Sequence, residues 1–168
     1  TILNHKIESK SWLGRVSCFS VLAEIGKEHS SDIKLENITN IMDLSGVKVL
    51  LVEDDIDVLK STKQLLESWG CIVSSGRDQE EIKNVIGSDG YLLPDIIVAD
   101  NRLPGDASGI DVVKLVQKDL ESLIPSVIVT GDVERGHVQS ITDQGFPVLL
   151  KPIQPAKFRA ILSHLIHS

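Results

Sequence analysis

Cysteine is scarce in this chain, with Cys18 and Cys71 the only 2 among 168 residues. They lie far apart in sequence and in different expected units, which excludes a disulfide framework and predicts two free thiols in a reducing compartment. No apolar run approaches the roughly 20 residues that cross a bilayer, and no signal peptide is visible. The expectation is a soluble, cytoplasmic chain without membrane contact, cut from a longer protein that is itself membrane-attached or free, since it begins at Thr1 rather than Met. There is no Lys/Arg block, and the formal net charge is -7. That argues against a nucleic-acid grip through phosphates. The histidines, His5, His29, His137, His164 and His167, have no metal-ligand spacing and read as surface residues. No internal repeat is present.

What the chain does have is 42% hydrophobic residues, enough for a real core. Their pattern divides it. Residues 5–12 and 16–25 alternate polar and apolar around Leu13-Gly14, which reads as a β-hairpin within residues 1–26. Residues 27–45 mix charge, Ser and Asn and read as a linker, with one short element near Ile38–Met42. From residue 46 to 168, strands alternate with helices. Strands are expected at Val47–Val52, Cys71–Ser74, Ile96–Ala99, Ser126–Thr130 and Val148–Leu150. Helices are expected at Asp57–Trp69, Asp78–Ile86, Gly109–Leu120, Val133–Thr142 and Pro155–His167, with Asp57 and Asp78 as caps. Strict alternation with apolar strands predicts an α/β fold, a doubly wound five-stranded parallel sheet of order 2-1-3-4-5 with an N-terminal hairpin and linker.

Three of these strands end in charge. Val49–Val52 runs into Glu53-Asp54-Asp55, Ile96–Ala99 into Asp100, and Val148–Leu150 into Lys151-Pro152. In the predicted order those ends converge on one crevice, where open α/β sheets bind ligands. Carboxylates so close repel unless a cation sits among them. Hard oxygen donors suit a divalent ion such as Mg²⁺.

These residues resemble the receiver domains of two-component response regulators, over about residues 47–168. The resemblance rests on four motifs in order: "VLLVEDD", "PDIIVADNRLPG", "VIVTG" and "LLKPI". It implies a (βα)5 flavodoxin-like fold and assigns roles. Asp100 matches the phosphoacceptor. Glu53 and Asp54 match the acidic pair that holds Mg²⁺ (or Mn²⁺) with Asp100, and Arg102 matches the residue whose backbone carbonyl completes the metal shell. Thr130 and Lys151 match the hydroxyl and the ammonium that meet the phosphoryl group. Lys151-Pro152 matches a cis peptide. The implied function is a receiver that catalyses its own phosphorylation and dephosphorylation, taking a phosphoryl group from a phosphohistidine within a phosphorelay. The implied partners are a histidine kinase domain, a histidine phosphotransfer protein, or both.

"NHKIESKSWLGRVSCFSV" is similar to the closing strands of a histidine-kinase ATP-binding domain, although Val16 stands where the second glycine of its Gly-x-Gly-Ser turn belongs. That resemblance implies origin in a hybrid sensor histidine kinase. The glycine that opens the helix after Asp100 comes one residue late, which predicts a bulged loop. Val148 replaces the usual switch aromatic. Arg102 and Asp132 are placed to pair over the groove that a hydrolytic water would use. Two rival readings stand beside the receiver. One is a receiver-like docking module that is never phosphorylated. The other is a Mg²⁺-dependent aspartyl phosphohydrolase, which needs an acid where Arg102 stands.

Overall fold

The computed structural model describes residues 6–11, 17–22, 43–105 and 107–167. The remaining expectations, including the element near Ile38–Met42, lie outside the described residues. In the first unit of the chain, β1 (Lys6–Ser11) and β2 (Ser17–Leu22) pair antiparallel, with Ile7 opposite Val21 and Ser9 opposite Phe19.

Among the described residues, the second unit shows five strands and five helices: β3 (Lys48–Val52), α1 (Ile56–Ser68), β4 (Ile72–Gly76), α2 (Gln79–Ile86), β5 (Ile96–Asp100), α3 (Gly109–Asp119), β6 (Ser126–Thr130), α4 (Arg135–Asp143), β7 (Val148–Leu150) and α5 (Pro155–His167). The strands form one parallel sheet, β4-β3-β5-β6-β7, the order 2-1-3-4-5 expected from the sequence. Both β5 and β6 are buried along their whole length, because helices cover both faces.

Alternate residues of the strands feed two cores. Val49, Leu51, Val98, Val129 and Leu149 face α1 and α5, where Leu66, Phe158 and Leu162 close the layer. Leu50, Val52, Ile97, Ala99 and Ile128 face Ile82 of α2, Val113 and Val116 of α3, and Ile141 of α4. Trp69 and Phe158 stack at a tilt, 5.7 Å between centroids, and the Arg159 guanidinium lies 5.8 Å from the Trp69 ring. Both aromatics are packing residues, as read from the sequence. Cys71 is a buried free thiol, and burial pushes its pKa up to about 11. It is therefore an inert core residue.

Four local details differ from the sequence reading, each for a physical reason. The core begins before residue 46: Leu44 is fully buried, and its carbonyl accepts from the Val47 amide. The cap of α1 is Asp55, not Asp57; its carboxylate accepts from the Asp57 and Val58 amides, and these bonds hold its pKa below the usual range. β4 continues past Ser74 to Gly76, because parallel pairing with Leu51 and Val52 satisfies its backbone although its side chains turn polar. A Cβ on Gly76 would meet Ile82 Cδ1 at 2.8 Å, so α2 packs closely over the strand end. Finally, α4 begins at Arg135 rather than Val133; its N-cap, Glu134, makes no side-chain capping bond.

Candidate functional site

Parallel register brings the strand ends level. Val52 pairs with Ala99, Asp100 with Val129, and Thr130 with Leu150. The ladder continues one step beyond the strands: the Glu53 amide donates to the Gly76 carbonyl (3.2 Å), Asn101 to Val129 (2.8 Å) and Lys151 to Thr130 (2.8 Å). The main chain thus delivers Glu53, Asp100, Thr130 and Lys151 to one rim. The Lys151-Pro152 peptide is cis.

At that rim Lys151 Nζ donates to Asp100 Oδ2 at 2.7 Å and to Glu53 Oε2 and Oε1 at 2.9 and 3.1 Å. Glu53 and Asp100 are nearly buried, at 4% and 6% exposure, while Asp54 is exposed. Carboxylate oxygens of these three residues come within 4.8 Å of one another. Burial, the largest influence, pushes the Glu53 carboxyl above the usual range; the bond from Lys151 opposes this and the nearby Asp100 charge adds to it. For Lys151, burial works against the ammonium, but its bonds to Asp100 and Glu53 outweigh burial and raise its pKa.

Three carboxylates facing one ammonium leave an excess of negative charge in a largely buried place. Every anionic donor is a hard oxygen. This donor set fits a small divalent cation such as Mg²⁺ or Mn²⁺, with Glu53, Asp54 and Asp100 as its acidic ligands.

Of the residues singled out in the sequence, Glu53, Asp54, Asp100 and Lys151 come together at the charge cluster. Thr130 is fully buried at the end of the neighbouring strand, and its Oγ1 accepts from the Asp132 amide at 3.1 Å. The Arg102 amide donates to Asp100 Oδ1 at 3.3 Å, and its exposed guanidinium reaches Asp132 Oδ2 at 3.4 Å. The Asp132 carboxyl lies below the usual range, chiefly because it accepts from the Glu134 amide, with His137 and Arg102 adding to the effect.

The loop after Asp100 closes through a bridge between Arg102 and Ser108. Gly109 then packs so tightly that a Cβ there would lie 2.2 Å from the Asp100 carbonyl oxygen. The late glycine is thus the residue on which the loop turns back against its own strand. Sequence reasoning passed over two further neighbours. Asn101 is 8% exposed, and its Nδ2 lies 2.9 Å from Nε2 of His137, which is exposed as the sequence suggests but is bound to a nearly buried side chain. A polar residue directly after a strand-end acid is visible in the sequence; its partner in α4 is not.

Residues 49–163 match the family model described as "Response regulator receiver domain". A curated relative, the phyllosphere-induced regulator PhyR of Methylorubrum extorquens, is 23% identical over 160 residues. That match takes in 90% of this chain, which spans 58% of the length of that relative. Among solved structures, a receiver domain protein from Clostridium thermocellum is 21% identical with a TM-score of 0.61, over 72% of this chain and 94% of that one. A variant of the anti-anti-sigma factor PhyR from Bartonella quintana is 22% identical with a TM-score of 0.62, over 79% of this chain and 54% of that one. These structures share the fold. The chain belongs to the response regulator receiver domains, the receiving modules of two-component signalling.

Proposed function

We propose that Asp100 takes a phosphoryl group from a phosphohistidine, in a reaction that requires Mg²⁺ or Mn²⁺, and that this chain works as a receiver in a phosphorelay. The single observation that carries the reading is the environment of Asp100. It is a buried carboxylate at a strand end, with an ammonium 2.7 Å from one oxygen and two further carboxylates beside it.

A carboxylate is a weak nucleophile, so the protein contributes mainly position and charge neutralisation. An Asp100 oxygen attacks phosphorus, the bond from phosphorus to the donor imidazole nitrogen breaks, and that nitrogen takes its electron pair and then a proton. The product is an acyl phosphate of about two negative charges. Lys151, now held by Asp100 and Glu53, turns one donor to the new phosphoryl oxygens. Thr130 brings a hydroxyl that can still donate while accepting from Asp132. Glu53, Asp54, Asp100 and the Arg102 carbonyl are the groups that would hold the ion. When bound, such an ion offsets charge on the phosphoryl oxygens. In this reading the Arg102–Asp132 pair shields the phosphorylated Asp100 and slows hydrolysis of the acyl phosphate. The chain acts on itself and turns over no separate substrate.

The partners in this reading are a histidine kinase domain, a histidine phosphotransfer protein, or both. The resemblance of the N-terminal hairpin supports a place behind a kinase ATP-binding domain in a hybrid kinase. A second reading, a module that works by docking a partner protein, has its own support. The Bartonella anti-anti-sigma factor PhyR matches 79% of this chain, against 72% for the Clostridium receiver. Incubation with acetyl phosphate and Mg²⁺, followed by intact mass, separates them. The receiver gains the mass of one phosphoryl group and Asp100→Asn does not; a docking module gains none.

A further inference from the structure

We infer that His137 is a positioning residue for the Asp100 site, acting through Asn101 on the peptide that follows the acceptor. The inference rests on the proposed role of the Asp100 cluster and extends it to a residue in a different element.

Asn101 is fixed on three sides. Its amide donates to the Val129 carbonyl in β6, and its carbonyl accepts from the Gly109 amide at the start of α3. Its side chain, nearly buried, is tied by His137 from the first turn of α4. With the Asn101 amide nitrogen toward the ring, it donates to Nε2. With the amide turned over, Nε2–H would donate to the amide oxygen; the tie holds in either polarity.

What the tie controls lies one peptide further on. The Asn101–Arg102 peptide supplies the N–H that meets Asp100 Oδ1, and the Arg102 carbonyl is the proposed fourth protein ligand of the ion. Without the tie, residue 101 is held by its backbone bonds alone, and the Arg102 amide and carbonyl that follow it lose one restraint. Outer partners that hold a ligand's orientation govern metal affinity in just this way. The location of the tie adds weight. Two side-chain bonds cross from the residues directly after Asp100 to the segment after Thr130: Asn101 to His137, and Arg102 to Asp132. The Arg102 guanidinium is 76% exposed and its contact is long, so the buried Asn101 amide is the firmer of the two. A plain surface histidine would predict a small effect on stability and none on the site.

The test compares wild type, His137→Ala, His137→Gln and the double variant Asn101→Ala/His137→Ala. Two quantities are measured: Mg²⁺ affinity by calorimetry without any phosphodonor, and the Mg²⁺ dependence of adduct formation from acetyl phosphate by intact mass. His137→Ala should weaken Mg²⁺ binding about tenfold and raise the half-saturating Mg²⁺ by the same factor. His137→Gln, whose amide reaches the same place as Nε2, should recover most of that loss. The double variant should be no worse than His137→Ala, because both changes remove one link. The inference is overturned if His137→Ala binds Mg²⁺ like wild type, or if His137→Gln is as defective as His137→Ala. If wild type gains no phosphoryl group yet Mg²⁺ binding still falls in His137→Ala, the phosphoacceptor reading fails and the positioning role stands. If wild type is phosphorylated and His137→Ala matches it in both measurements, the positioning role alone fails.

Discussion

Helices α3 and α4 each follow a strand that ends at the site, yet they are anchored in opposite ways. α3 starts with a capping box: the Ser108 hydroxyl accepts from the Asp111 amide, and the Asp111 carboxylate accepts from the Ser108 amide. It buries Gly109, Ile110, Val112, Val113 and Val116. α4 has no side-chain cap, carries Gly136 in its first turn and buries only Ile141 among its residues. The helix after Asp100 is therefore firmly anchored, and the helix after Thr130 is held more lightly. A receiver needs that division. The acceptor must stay in place while the loop that follows the hydroxyl responds to a new charge, and weakly held elements are the ones that move.

Two glycines give the sharpest way to break this comparison. Gly109→Ala puts a Cβ 2.2 Å from the Asp100 carbonyl oxygen, and backbone must shift to admit it. A loss of about 3 kcal/mol is expected, read as a fall in thermal midpoint. Loss of phosphorylation should accompany it, because the same shift moves Asp100. Ser108→Ala removes the cap of α3 and should cost about 1 kcal/mol by denaturant titration.

The capping box also has a pH signature. Its bonds from the Ser108 side chain, and then from the Ser108 backbone, hold the Asp111 carboxyl below its usual value of 3.8. A lowered carboxyl contributes stability above the unfolded value that is lost as pH falls through the folded one. Stability should therefore drop below about pH 4 in wild type. In Ser108→Ala that part of the slope should flatten, while an unchanged slope would remove the cap from the account.

On the α4 side, effects should be smaller. Gly136→Ala meets nothing within 4 Å and should stabilise the fold by about 0.5 kcal/mol, since alanine is the better helix former. Arg102→Ala opens the exposed contact with Asp132 and should speed hydrolysis of the acyl phosphate, by about twofold at most, with little effect on stability. An unchanged dephosphorylation rate would sink the shielding role of that pair.

The same contrast explains what could be read from the sequence. Strand ends at the site were legible because buried parallel strands are unbroken apolar runs, and Glu53, Asp100 and Lys151 interrupt them abruptly. Alternation implies a parallel sheet, and the charged ends of three strands converge in the order 2-1-3-4-5. Capping was less legible: Asp55 and Asp57 are equivalent in composition, and only backbone geometry makes Asp55 the cap. β4 was cut short because Ser74-Ser75-Gly76 looks like a turn, whereas ladder pairing and the approach of Ile82 decide it. The start of α4 was misplaced by two residues because neither cap nor apolar stripe marks it. His137 was the hardest case. An isolated histidine has no periodicity, and its partner lies 36 positions away.

The central claim is that Asp100 is the phosphoacceptor. It is tested most directly by treating the chain with acetyl phosphate and Mg²⁺, reducing the product with borohydride, and locating the modified residue by peptide mass. An acyl phosphate on aspartate is reduced to homoserine, so the account predicts homoserine at position 100 and nowhere else. Homoserine at another carboxylate, or none where an intact-mass adduct had formed, would contradict it.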